Sequence, residues 1–179
     1  MNLYVLRHAS AGVRRPNPRL DVLRPLDKEG KQHCLQLAHI LNALKVTFDE
    51  VLSSPLKRSL QTAQLVGTET GFERPIRISR SLSPEATFAD FSRLLVEQAA
   101  VENLLVVGHS PNLQEFLGCL LVPPYEGARP AQIRMRKGSI ARVSLTRGPA
   151  TLTSVLDPRT VRALYVTSTK SSRRKISKK

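Results

Sequence analysis

The sequence predicts an α/β domain, a three-layer αβα sandwich whose mainly parallel sheet carries antiparallel strands at its edge. Three observations carry that prediction. The apolar runs Leu3-Tyr4-Val5-Leu6 and Leu104-Leu105-Val106-Val107 are continuous rather than alternating, as strands covered on both faces must be. Between them lie segments whose apolar residues recur every three or four positions, the period of a helix with one inward face. Beyond residue 140 the pattern turns to strict alternation, the mark of a half-buried antiparallel strand.

Element by element, the first apolar run is followed at once by Arg7-His8. Residues 9 to 26 read as a loop rich in Pro, Arg and Asn, with Pro16, Pro18 and Pro25 opposing regular structure. A helix is predicted to start at Asp27 as N-cap, with Cys34, Leu37, Ala38, Leu41 and Leu44 on one face. Val51-Leu52 ends a short strand. Ser53-Ser54-Pro55 then reads as the opening of a second helix, Ser54 as N-cap and Pro55 at its first position, running to about Gly71. Residues 72 to 86 read as irregular, with a short extended piece around Ile76. Phe88, Phe91, Leu94 and Leu95 mark a third helix. The buried strand 104–107 ends in Gly108-His109, and Ser110-Pro111 repeats the cap-then-proline opening of a helix with Leu113, Phe116, Leu117 and Leu120 facing inward. After residue 122 a Pro-rich connection leads to a strand with Ala141, Val143 and Leu145 on one side. A turn at Arg147-Gly148-Pro149 leads to another strand over 150 to 156. No internal repeat is visible.

Length and composition fit this reading. A chain of 179 residues suits one domain, read as 1–167 with a basic, flexible tail over 168–179. No apolar run is long enough to cross a bilayer, and the N-terminus lacks the marks of a signal peptide. Cys34 and Cys119 sit among apolar residues and read as reduced core thiols, consistent with a cytoplasmic location. The net charge is +14, and six of those positive charges fall in the last ten residues; taking six from fourteen leaves +8. Such a field favours anionic partners without choosing among them.

Arg7-His8, Ser53-Ser54 with Arg58 just beyond, and Gly108-His109-Ser110 all lie at carboxyl ends of predicted strands, where ligands bind in open α/β sheets. A phosphoryl group matches what they offer. Guanidiniums form planar, permanently charged forks for its oxygens. Helix N-termini add N–H groups, and a neutral imidazole is a competent nucleophile near pH 7. Arg58 in a first helical turn is unfavourable to the helix dipole, which points to use. His33 and His39, on the first helix, read as surface or satisfied side chains. The four histidines and two cysteines show no zinc-ligand spacing, and arginines beside His8 would repel a cation, so neither metal nor cofactor is called for.

These residues also resemble a family. Leu6-Arg7-His8-Ala9 is similar to the LRHG signature of the histidine phosphatase superfamily, the phosphoglycerate mutase-like enzymes. Ser53-Ser54-Pro55-Leu56-Lys57-Arg58-Ser59-Leu60-Gln61-Thr62-Ala63 resembles its SSPLxRxxQTA block, and Val107-Gly108-His109-Ser110-Pro111 its VGHxP block. Arg24-Pro25-Leu26-Asp27-Lys28-Glu29-Gly30 is similar to RPLTxxG and, with the short chain, points to the SixA-type phosphohistidine phosphatases. The resemblance implies His8 as a nucleophile forming a phosphohistidine. Arg7, Arg58 and Arg24 would grip phosphoryl oxygens, and His109 would bind them and stabilise the transition state. Ala9 and Asp27 depart from the pattern. Larger members carry a carboxylic acid in a loop after the second block, and Glu85 is the obvious supplier here. The implied substrate is a phosphorylated protein, a histidine phosphotransfer domain; the alternatives are a small phosphate ester on the same scaffold or a basic module for anionic surfaces. Nucleic acid is disfavoured because the tail lacks aromatic stacking platforms.

Overall fold

A computed structural model describes residues 1–122, 129–146 and 148–176, the last seven of these by backbone alone. Among the described residues six strands form one sheet: β1 (Asn2–Arg7), β2 (Glu50–Ser53), β3 (Arg77–Ile78), β4 (Asn103–Gly108), β5 (Ile140–Ser144) and β6 (Thr151–Leu156). Their order is β3-β2-β4-β1-β5-β6. The β3, β2, β4 and β1 neighbours are parallel, while β5 runs antiparallel to β1 and to β6. The predicted architecture is therefore the observed one.

The continuous apolar runs are explained by cover on both faces. On one side Tyr4, Leu6, Val51, Leu105 and Val107 pack against Cys34, Leu37, Ile40 and Leu41 of α2 (Lys28–Ala43). Ala63 and Val66 of α3 (Lys57–Glu69) and Val161 of α6 (Pro158–Ile176) complete that layer. On the other side Leu3, Val5, Leu104 and Val106 meet Phe91, Leu94 and Leu95 of α4 (Phe88–Glu97). Leu113, Phe116 and Leu117 of α5 (Asn112–Leu121) share that face. Cys34 and Cys119 are free, buried thiols. No helix among the described residues is long and apolar enough to cross a membrane.

Several helix ends depart from the sequence reading. Residues 9–26 contain a short helix, α1 (Pro18–Val22), which starts on the very feature read as a breaker. Asn17 caps it by accepting the Arg19 N–H at 3.0 Å, and Pro18 takes the first position, where a missing N–H costs nothing. Asp27 caps α2 as predicted, accepting the Gly30 N–H at 2.7 Å. Ser54 does not cap α3. That helix starts at Lys57, after Leu56, with no side-chain cap, and the Ser54 hydroxyl meets a histidine described below. Ser110 likewise leaves α5 uncapped, since Pro111 occupies the cap position and lies in the helical region itself. The sequence reading contained no helix at α6, and the expected boundary at 167 falls inside it. Its start is held by Asp157, which accepts the N–H groups of Arg159 and Thr160 at 2.8 and 3.0 Å. Among its described side chains Val161 is the one that is fully buried, too little to show as an apolar stripe. The turn expected at Arg147 and the last basic residues, 177–179, lie outside the described residues.

The first turn of α2 presses on the loop that follows β1. A Cβ built on Gly30 would lie 2.0 Å from the carbonyl oxygen of Ser10, so no side chain fits there. Gly30→Ala is expected to destabilise the fold by about 1–3 kcal/mol, the usual cost of overpacking. Urea unfolding of the variant beside the parent protein would measure it.

Candidate active site

The parallel register delivers the site. Arg7 pairs with Gly108 across β1 and β4, and Ser53 pairs with Val107 across β2 and β4, so the next residues, His8, Ser54 and His109, leave the sheet side by side. Backbone bonds extend the ladder one step further: His8 N–H donates to Gly108 O at 3.0 Å, and Ser54 N–H to Val107 O at 2.9 Å. The two imidazoles end with ring centroids 5.1 Å apart, and both are buried, His8 with 6% and His109 with 3% of its surface exposed.

Hydrogen bonds decide which nitrogen does what. His8 Nδ1 lies 2.8 Å from the Ala9 carbonyl, which only accepts, so Nδ1 carries the proton and Nε2 keeps its lone pair. His109 Nε2 lies 2.8 Å from Ser54 Oγ, which itself accepts the Leu56 N–H at 3.4 Å. A Ser54 hydroxyl that gives its proton to Nε2 leaves the His109 proton on Nδ1. That atom is buried and has no partner within the protein. Burial pushes the His8 pKa down to about 3, helped by the charges of Arg58, Arg7 and Lys137 and opposed by the Ala9 carbonyl. Burial also pushes His109 down to about 2, with His8, Arg58, Arg7 and Arg24 adding to it. Both rings are neutral at pH 7. One offers a bare nitrogen and the other an unpaired N–H.

Three guanidiniums surround them. Arg7 sits at the end of β1, its Nη1 donating to Met135 O at 2.7 Å. Arg58 and Arg24 are buried, and both are fixed by Asp21 of α1. Arg24 Nε donates to Asp21 Oδ1 at 2.8 Å, and Arg58 Nη1 to the Asp21 backbone carbonyl at 3.0 Å and to Oδ2 at 3.4 Å. The Arg24 bond first, then the Arg15 N–H, hold the Asp21 carboxyl down at about 2, so it is ionised at any working pH. The Nε atoms of Arg7 and Arg58, His109 Nδ1 and Ser110 Oγ are all buried without a protein partner. Unpaired buried donors are costly, and a tetrahedral oxyanion would satisfy several at once. The set therefore fits an anionic, phosphoryl-sized ligand. No group of His, Cys, Asp and Glu suited to a metal ion occurs among the described residues.

Arg7, His8, Arg24, Arg58 and His109 are thus brought together. Glu85 is not joined to them by any hydrogen bond or ion pair among the described residues. It is exposed in the turn after the 3₁₀ segment Arg80–Leu82, at the rim. Asn112 holds that turn by donating to the carbonyls of Pro84 and Ala86, both at 2.8 Å. His33 is buried and satisfied, its Nε2 2.9 Å from Gly138 O, and His39 is exposed.

Sequence reasoning passed over the groups that orient these residues. Asp21 is the sole acid in residues 9–26, amid four arginines, a signal that was there to be used. Thr62 Oγ1 accepts the Ala9 N–H at 3.1 Å and donates to Arg58 O at 2.7 Å, tying the second block to the first. The segment 135–139, which no motif marks, clamps β1. Gly138 N–H donates to the carbonyls of Arg7 and His8 at 3.0 and 3.1 Å, and Ser139 O accepts the Arg7 N–H at 3.0 Å. Gly138 has φ +82°, and a Cβ there would meet the His33 ring at 2.4 Å, so glycine is required twice over.

Comparison with known proteins agrees with this geometry. The family model "Histidine phosphatase superfamily (branch 1)" matches residues 3–94. An uncharacterized protein of Picosynechococcus sp. is 32% identical over 118 residues, 65% of this chain and 70% of its own. The phosphohistidine phosphatase SixA of Escherichia coli is 27% identical over 113 residues, 62% of this chain and 68% of its own. The solved structure of the protein histidine phosphatase SixA complexed with tungstate superposes with a TM-score of 0.76 at 26% identity, covering 90% of this chain and 99% of that one.

Two outcomes are expected. A charge-assisted hydrogen bond is worth about 1.5–3 kcal/mol, so Asp21→Asn should weaken binding of inorganic phosphate roughly tenfold or more, read by calorimetry. For the histidines, the unfolded chain takes up protons near pH 6.5 while the folded one resists to about 3, so the unfolded state holds more protons between those values. Stability is then full above about 6.5 and falls as the pH drops towards 3. Phosphate-free urea unfolding should give a lower midpoint at pH 5 than at pH 7, with a smaller difference in His109→Asn.

Proposed function

Since the chain belongs to the histidine phosphatase superfamily, we propose that it hydrolyses phosphohistidine on a phosphorelay or phosphotransfer protein through a covalent phospho-His8 intermediate. The chain is similar to SixA in sequence and fold. A phosphohistidine substrate is favoured chiefly by the carboxylates. Asp21 is committed to Arg24 and Arg58, Asp27 to the Ser10 hydroxyl and the Gly30 N–H, and Glu85 is exposed at the rim. Among the described residues no carboxylic acid is presented to a leaving group. An alcohol leaving as alkoxide needs such an acid; an imidazole, readily protonated on its own, does not. The site suits a P–N bond better than a P–O bond.

In the first step His8 Nε2 attacks phosphorus and the substrate's P–N bond breaks, the departing imidazole taking a proton from water. Arg7 and Arg58 hold the equatorial oxygens, Arg24 completes the cradle, and His109 Nδ1–H donates to the oxygens as charge gathers there. The phosphoryl dianion supplies the counter-charge missing from the free site, which offsets the positive charge that the His8 ring acquires as its Nε2 bonds phosphorus. In the second step water attacks phosphorus, the His8 N–P bond breaks, and inorganic phosphate leaves. The positive cradle asks for no metal. Glu85 stands as the candidate acid for a phosphate ester, where its loop position at the rim would bring it to a bulkier substrate.

A phosphorylated histidine phosphotransfer domain should release phosphate, and His8→Ala should abolish release while the fold stays intact by circular dichroism. Label trapped on the wild type should be lost on acid quenching, as a phosphoramidate is. Activity should survive EDTA. Glu85→Gln should leave phosphohistidine turnover unchanged and depress only ester hydrolysis. Intact phosphoprotein beside fast turnover of one metabolite in a panel of sugar phosphates and nucleotides would instead establish a small-molecule phosphomonoesterase.

A further inference from the structure

The loop that carries Asp21 has a second feature that the phosphoryl grip does not use. None of the side chains of α1 is buried, so the helix contributes nothing to either core layer. Yet Val13 is 91%, Leu20 46% and Leu23 61% exposed, a concentration of aliphatic surface within eleven residues. Arg14, Arg15 and Arg19 stand exposed among them. Water-facing aliphatics interleaved with arginines, on a segment that supports no core, are the composition of a contact surface rather than of a solvated loop.

Its place in the fold says what sits on it. The segment is fastened to the domain by Asp21, whose carboxylate and carbonyl hold Arg24 and Arg58, by the Arg24 Nη1 bond to Gly12 O at 2.7 Å, and by the bridge between Ala11 and Leu26. The residues anchoring the patch are therefore those that cradle the phosphoryl group, so whatever rests on the patch has its surface beside that group. An occupant that did not present the phosphoryl group would shut the substrate out. Resting on the reading of the chain as a protein phosphohistidine phosphatase, we infer that residues 13–23 are the docking surface for the phosphoprotein. The complementary partner surface is acidic with aliphatic spots, and surrounds its phosphohistidine. The arginines would speed encounter and the aliphatics would slow release.

The test compares a protein substrate with a minimal one on the same enzyme. The variant Arg15→Gln/Arg19→Gln/Leu20→Gln/Leu23→Gln keeps Asp21, Arg24 and Arg58, and glutamine preserves helix propensity. On a phosphorylated histidine phosphotransfer domain its kcat/KM is expected to fall roughly tenfold or more, through KM. On phosphoramidate, a small donor with the same P–N bond, it should match the wild type. Raising salt from about 50 to 500 mM should lower the wild type's kcat/KM on the phosphoprotein far more than the variant's. Unchanged turnover of the phosphoprotein by the variant overturns the docking surface and leaves the phosphatase reading standing. An equal loss on both substrates also overturns it, showing a loop that merely props the cradle. So does wild-type binding to phosphatidylserine vesicles that the variant loses while phosphoprotein turnover is kept. A wild type that consumes phosphoramidate but leaves phosphoproteins intact sinks both readings.

Discussion

Like charges crowd this site, and the way they are held in place governs the rest. Arg7 and Arg58 press on both imidazoles and Arg24 on that of His109, and their mutual repulsion would drive them outward into water. Asp21 ties two of them by opposite charge, while Arg7 is restrained by the Met135 carbonyl. One carboxylate among three guanidiniums leaves the cradle positive by design, able to accept an anion without first surrendering an internal partner. Burial, with the same imbalance adding to it, keeps both histidines neutral, which is the protonation state that the proposed attack by His8 Nε2 requires.

The sheet makes such crowding affordable. Three parallel strands end at one level, so His8, Ser54 and His109 project from neighbouring points on a rigid edge. Precise placement of reacting groups is more reliable on strand ends than on free loops, and two apolar layers hold these ends from both faces. Around that edge the loops divide the labour. The 135–139 segment locks β1 through Gly138, the α3 start gives Thr62 and Arg58, and the 9–26 loop brings Arg24 with its carboxylate.

Orientation of the imidazoles depends on small groups that are easily overlooked. A backbone carbonyl sets the tautomer of His8, and a serine hydroxyl sets that of His109. Ser54 illustrates a competition between local and tertiary demands. As the residue before a proline at a helix start it has the composition of a cap, yet its hydroxyl serves a histidine 55 residues away. The same oxygen still accepts the Leu56 N–H at 3.4 Å, and the helix itself begins at Lys57. A cap is worth about 1 kcal/mol, and a catalytic imidazole in the wrong tautomer costs far more in rate.

Much of this protein was legible from its residues alone. Continuous apolar runs fixed which strands are covered twice, three-and-four spacing placed α2, α4 and α5, and the alternation after 140 marked the antiparallel edge. His8, Arg58 and His109 could be picked out because strand ends in α/β sheets gather ligands, and Arg24 because its neighbours resemble a known block. The remainder needed three dimensions. Asp21 is a single acid in a loop, with nothing in one dimension to say that both Arg24 and Arg58 reach it. α1 and α6 bury almost nothing, so they leave no hydrophobic period. The hydroxyl of Ser54 meets a long-range neighbour, His109, that the turn it occupies does not reveal. Periodicity records which side of an element avoids water; it carries no record of which polar atoms meet across the chain, and the candidate site is built from those meetings.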